Sequence, residues 1–182
     1  MSNITQEPVT TAPAVTDRPV VGRLAARRVL AVLRIMFGFY FLWAFLDKTF
    51  GLGFATPAAK AWINGGSPTK GFLSGSEGPF SGFYQAIAGN GVINVLFMLG
   101  LLAIGVALIL GIGLRIAAVA GTVMYVMMWS VVLPLTTNPI LDDHLLSAVT
   151  LILFPLTAAG LTWGLGRWWA GQPVVQRNPW LL

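Results

Sequence analysis

The chain has 182 residues, of which 56% are hydrophobic and only 9% charged, with 11 Lys and Arg against 6 Asp and Glu for a net charge of +5. Soluble domains carry roughly 25% charged residues, so this composition excludes an ordinary water-soluble domain, a disordered chain and, despite the basic balance, a nucleic-acid binder. With no cysteine and a single histidine, His144, the chain cannot by itself form disulfides, zinc–thiolate or iron–sulfur sites, or a haem held by two of its own histidines.

Residues 1–22 are rich in Thr, Pro, Val and Ala with no periodic apolar face, and read as a disordered cytoplasmic tail. A membrane-spanning helix needs about 20 mostly apolar residues. The first such run covers 29–50, with Arg34 as its only charge before Asp47. Arg34 lies about 9 Å along a helix from Arg28, so its stem is expected to snorkel back to the headgroups. No small-residue cleavage site follows this run, which therefore reads as a span and not a signal peptide.

The 52–90 connection is too long to be structureless. Thr56-Pro57 reads as an N-cap with proline at the first helical position, and Gly65 as a stop, which predicts a short helix over 57–64. Residues 71–78 are glycine-rich and read as a turn. Phe80, Phe83, Tyr84 and Ile87 fall at helical spacing and predict a second short helix over 80–88. This much aromatic surface is expected to lie at the outer interface or to cap the bundle.

Three further charge-poor runs predict spans at 92–110, 116–135 and 145–163. Asn138 and Pro139 read as cap and first residue of the last helix, and Pro155 predicts a kink near Leu151. Ala103/Ala107/Gly111, Ala117/Gly121 and Gly160/Gly164 form small-residue rows suited to close helix packing. The predicted fold class is thus an all-α membrane protein: a four-transmembrane-helix bundle over 23–169, with a partly helical extracytoplasmic loop between helices 1 and 2 and a C-terminal cytoplasmic tail over 170–182.

Basic residues set the orientation. Arg18, Arg23, Arg27, Arg28, Arg34, Arg115, Arg167 and Arg177, offset by Glu7 and Asp17, give one side a net +6. Lys48, Lys60 and Lys70 against Asp47, Glu77, Asp142 and Asp143 give the other a net −1. Both termini are expected to be cytoplasmic, with 52–90 outside. Trp129 near one end, and Trp163, Trp168 and Trp169 near the other, match aromatic belts.

Ionisable groups at membrane depth are costly, so each is a candidate for function. Tyr40, Trp43, Asp47 and Gly51 share one helical face, offering a carboxylate beside aromatic surface, with Lys48 adjacent. The same residues also suit a plain interfacial anchor. Asp142, Asp143 and His144 open the fourth helix, either as a cap or as a hydrogen-bonding and proton-exchanging cluster. Asp143, Ser147, Thr150, Phe154 and Thr157 share a face that could line a cleft. Neighbouring side chains on a helix diverge, so no metal site is expected from 142–144. Gly111-Ile-Gly113 reads as a tight turn, and Met124, Met127 and Met128 as packing.

The phrases Phe41-Leu42-Trp43-Ala44-Phe45-Leu46-Asp47-Lys48, Trp62-Ile-Asn-Gly-Gly-Ser-Pro-Thr-Lys-Gly71, Gly111-Ile-Gly-Leu-Arg115 and Asn138-Pro-Ile-Leu-Asp-Asp-His144 resemble the DoxX/DoxD family of bacterial membrane proteins, over roughly residues 27–166. The resemblance implies a multi-pass protein of the bacterial plasma membrane. For some members it implies the membrane subunit of thiosulfate dehydrogenase (quinone), which passes electrons from thiosulfate to quinone. It carries over no catalytic residue. From the residues themselves, Asp47, Lys48, Tyr40, Asp143 and His144 are the candidate polar or quinone site. No cofactor within the chain is evident, quinone is the electron acceptor implied, and the partners are the lipid membrane and a further subunit of a redox complex. A non-catalytic accessory or scaffold subunit is the alternative, and a transporter is disfavoured by the lack of charge at mid-depth and of an inverted repeat.

Overall fold

A computed structural model of the chain describes residues 21–182, and the sequence reading of the N-terminal tail falls almost wholly outside them. The described residues form helices and turns: α1 (Leu24–Phe50), α2 (Lys70–Ser74), α3 (Ser81–Ile87), α4 (Gly91–Leu110), α5 (Leu114–Val131), α6 (Asp143–Leu156), α7 (Gly166–Ala170) and α8 (Pro173–Arg177), with short 3₁₀ turns between some of them. Among these, α1, α4 and α5 are long and apolar enough to cross a membrane. Val29, Met36, Val92, Leu96, Val119 and Val149 stand exposed on their outer faces. Large apolar side chains in such numbers suit hydrocarbon and not water, so the fold is compatible with an integral membrane protein.

The long helices pack as two antiparallel pairs, α1 on α4 and α5 on α6, with α4 against α5 joining them. Phe41, Met98, Leu101, Ile104, Leu108, Tyr125, Leu151 and Phe154 fill the shared core. Close packing comes from glycine. Gly38 and Gly105 bring the backbones of α1 and α4 together, so a methyl group on Gly105 would lie 2.8 Å from the Leu42 nitrogen. The expected row through Ala103 and Ala107 is not this contact, since Ala103 is exposed. The rows at Gly121 and Gly160 do meet neighbours: Gly121 faces Leu151, and Gly160 lies against Gly111.

The fourth helix differs from its expected course. It begins at Asp143, not Pro139, and stops at Leu156 instead of kinking at Leu151 and running on to 163. Fourteen residues rise about 21 Å, short of the roughly 30 Å of a bilayer core. Asn138 instead accepts the backbone N–H groups of Ile140 and Leu141 in a local turn, and Asp142 is the cap. At the far end, Pro155 is followed by left-handed Ala158, a 3₁₀ turn over Ala159–Leu161 and left-handed Trp163. The backbone beyond the break meets Arg34. Far from snorkelling, it is fully buried, and its guanidinium donates to Leu108 O, to Ile109 O at 2.9 Å, to Thr162 O at 3.2 Å and to Trp163 O at 3.0 Å. The chain beyond α6 leaves the helical path, and its Thr162 and Trp163 carbonyls turn to Arg34.

The same contact completes the end of α4. A helix leaves its last four carbonyls without helical partners. Here Ala107 O accepts from Gly111 and Ile112, Leu108 O and Ile109 O accept from Arg34, and Leu110 O accepts from Leu165 N at 2.7 Å. The positive guanidinium at a helix C-terminus is also favoured by the dipole. Gly111, Gly160, Gly164 and Gly166 crowd around it, and a side chain on any of them would strike backbone or the guanidinium within 3.1 Å.

The 52–90 connection is more helical than expected in one place and less in another. The 57–64 segment forms two 3₁₀ turns, Ala58–Lys60 and Trp62–Asn64, split by extended Ala61 and stopped by left-handed Gly65. The stretch read as a glycine-rich turn contains α2. The second short helix forms as expected as α3, and buried Tyr84 anchors it, its hydroxyl 2.5 Å from Ser130 Oγ. The last residues also fold back: Leu182 O accepts the Arg115 N–H at 2.8 Å and Trp169 Nε1 donates to Leu181 O at 2.7 Å.

Candidate functional site

The residues singled out in the sequence divide into two places. Tyr40 from α1 and Asp143 from α6 meet Tyr125 of α5 and Ser147 of α6 in a cleft of about 280 Å³, completed by Leu33, Met36 and Phe37. Tyr40 is 64% exposed at the side of the bundle, and the Asp143 side chain is 86% exposed at the mouth. Tyr125 is only 5% exposed. It is fixed by edge-on packing against Phe41 at 5.2 Å and stands 6.1 Å from the His144 ring. The cleft therefore presents two phenols, a hydroxyl and a carboxylate along one side of aliphatic and aromatic walls.

Of the α6 face expected to line a cleft, Asp143 and Ser147 do so. Thr150 and Thr157 return their hydroxyls to Leu146 O and Leu153 O of their own helix, at 2.8 and 2.7 Å, and Phe154 is buried in the core. Tyr125 was not singled out, although a tyrosine within an otherwise apolar run was the available signal.

His144 and Asp142 form a fixed pair beside the cleft. Asp142 Oδ1 accepts the Leu145 N–H at 3.1 Å, and its Oδ2 lies 2.6 Å from His144 Nδ1. Burial pushes the Asp142 carboxyl upward, but hydrogen bonds from His144 and the Leu145 amide outweigh it and hold the group below its ordinary value. A depressed carboxyl stabilises the fold above its unfolded-state pKa, and that contribution disappears as pH falls through the lowered native value. The expected divergence of 142–144 does not occur: ligand-type atoms of Asp142, Asp143 and His144 lie within 4.8 Å of one another. Asp142 precedes the helix as its cap, so its side chain folds back over the first turn. Both of its oxygens are already engaged.

Asp47 and Lys48 stand apart from this cleft. Asp47 is seven residues beyond Tyr40, about 10 Å along α1, and only 2% exposed. Its oxygens accept the backbone N–H groups of Phe54 at 3.3 Å and Ala55 at 3.0 Å. It thus ties the chain leaving α1 back onto the helix, while Trp43 packs edge-on against Phe54 at 5.1 Å. Replacing Asp47 by Ala leaves those two amides unpaired. The expected cost is about 1–3 kcal/mol, read as faster limited proteolysis near residue 54, whereas Asp47→Asn keeps an acceptor and is milder. An unchanged cleavage rate in Asp47→Ala would remove this role.

A second buried polar anchor escaped the sequence reading. Asn94 Oδ1 accepts from Thr69 Oγ1 at 2.7 Å and from the Thr69 amide at 3.3 Å, fixing the 52–90 connection to α4. Its signal was a lone amide inside an apolar run.

No protein-family model, no curated protein and no solved structure matches the chain. The cleft and its neighbours must therefore be interpreted from their own chemistry.

Proposed function

We propose that the protein is a multi-pass protein of the bacterial plasma membrane, of DoxX/DoxD type, that binds a quinone headgroup in the cleft between α1, α5 and α6, as the membrane subunit of a thiosulfate:quinone oxidoreductase. The observation that carries this reading is the gathering of Tyr40, Tyr125, Ser147 and Asp143 at one recess in the side of an apolar bundle. Quinone carbonyls need hydrogen-bond donors, and the phenols and the Ser147 hydroxyl supply them. A cleft of about 280 Å³ lies just below the usual range for ligand sites, which suits a ring whose isoprenoid tail stays in lipid. Asp143 at the mouth sets an exposed carboxylate beside the hydroxyls, and the Asp142–His144 pair beside it fixes the start of α6. The arginine-rich end faces the cytoplasm in this reading, by the positive-inside rule.

The test is binding of a short-tailed 1,4-quinone to the protein in nanodiscs, followed by quenching of its tryptophan fluorescence. A net hydrogen bond contributes about 0.5–1.5 kcal/mol. Tyr125→Phe and Ser147→Ala are each expected to weaken binding by roughly two- to twelvefold. Asp47→Asn, outside the cleft, is expected to leave affinity unchanged. Absence of quinone binding by the wild-type protein would overturn the quinone reading and favour the non-catalytic accessory subunit. Binding that is intact in both cleft variants would move the site elsewhere.

A further inference from the structure

A groove of about 860 Å³, larger than the polar cleft, lies at the arginine-rich end. Its walls come from α5, α6 and the folded-back C-terminal segment, and include Val119, Pro155, Leu156, Trp169 and Leu182. Thr122 also lines it, but its hydroxyl is already donated to Ala148 O at 3.1 Å, so the walls offer little polarity. The exposed residue Arg115 stands at one end. Among the described residues its guanidinium makes one hydrogen bond, from Nη1 to Pro179 O at 2.9 Å, which leaves its remaining N–H groups for a ligand.

Charge and depth together identify the occupant. Every acidic residue among those described, Asp47, Glu77, Asp142 and Asp143, belongs to the opposite end of the bundle, while Arg23, Arg27, Arg28, Arg115, Arg167 and Arg177 gather here. Arg167 and Arg177 are exposed on α7 and α8, in the segment that forms one wall. From Arg115 to Val123 the groove follows α5 for about 12 Å, close to the roughly 15 Å hydrocarbon depth of one leaflet. A basic pocket between spanning helices is the kind of site that takes an anionic lipid headgroup.

We propose that this groove holds one anionic phospholipid of the adjoining leaflet, with an acyl chain along α5 and α6 and the phosphate at Arg115. The inference rests on the membrane reading and is independent of the quinone cleft. The test uses the full chain in nanodiscs of equal phosphatidylglycerol and phosphatidylcholine, released into native mass spectrometry. Wild type is expected to retain one phosphatidylglycerol in preference to phosphatidylcholine. Val119→Trp, filling the groove from its exposed side, is expected to reduce that retention at least tenfold. Val149→Trp, at an exposed site outside the groove, is expected to leave it unchanged. Arg115→Gln should abolish the headgroup preference and Arg115→Lys should keep it, which separates the charge from the Pro179 contact. Equal retention of both lipids by wild type, full retention in Val119→Trp, or loss of preference in Arg115→Lys would overturn the proposal. Retention of no lipid would overturn it too, as expected if residues 1–20 or a second copy of the chain fill the groove.

Discussion

Arg34→Leu is expected to be the most destabilising single substitution in the bundle. It removes a buried charge, which on its own is favourable in a low-dielectric interior. It also leaves the carbonyls of Leu108, Ile109, Thr162 and Trp163 without the donor that now serves them. Each buried unpaired polar group costs about 1–3 kcal/mol, so four of them outweigh the relief of desolvation, for a net loss of at least about 3 kcal/mol. Arg34→Lys keeps the charge at the α4 terminus but offers three donors on one nitrogen instead of a planar fork, so an intermediate loss is expected. The measurement is the thermal midpoint of the detergent-solubilised protein, followed by fluorescence-detected size exclusion. A midpoint for Arg34→Leu equal to wild type would show that the carbonyls find other partners.

Arg34 also marks where the sequence stopped being legible. The α1, α4 and α5 spans were readable, because twenty-odd apolar residues have few alternatives to a helix in lipid. The end of α6 was not, because the backbone beyond it, at Thr162 and Trp163, is held by a side chain 128 and 129 residues earlier in the chain. An arginine near a span end has two physically sensible fates, snorkelling or pairing with backbone, and only tertiary structure chooses between them. Gly160, Gly164 and Gly166 hinted at the outcome, since three glycines in seven residues weaken a helix, but as a packing row they fit a helix equally well.

The candidate cleft was half legible for a related reason. Tyr40 was picked out for sharing a helical face with Asp47, and Asp143 for opening the last helix, and the fold brings the two together. Helical spacing alone joined Asp47 to Tyr40, yet it cannot reveal that the loop after α1 turns back and supplies two amides to that carboxylate. Periodicity reports which residues share a face. It does not report what covers that face.

The second large effect concerns the contact that sets the distance between α1 and α4. At Gly105 an added methyl group would sit 2.8 Å from Leu42 N, 3.1 Å from Leu42 Cα and 3.1 Å from Gly38 O, all backbone of the facing helix. At Gly100, five residues earlier on the same helix, the nearest atom is the terminal methyl of Met124, at 2.6 Å. The distances are similar but the neighbours are not. A methionine has three rotatable bonds and can move its end aside, whereas two helical backbones can separate only by unpacking the side chains along the pair. Gly105→Ala is therefore expected to lower stability by about 1–3 kcal/mol or more, as overpacking does. Gly100→Ala is expected to be neutral or to gain up to about 1 kcal/mol through helix propensity. Steric trapping or thermal melting of both variants in the same micelle checks the contrast. If the two alanine substitutions cost the same, the Gly38–Gly105 crossing is not what holds α1 to α4.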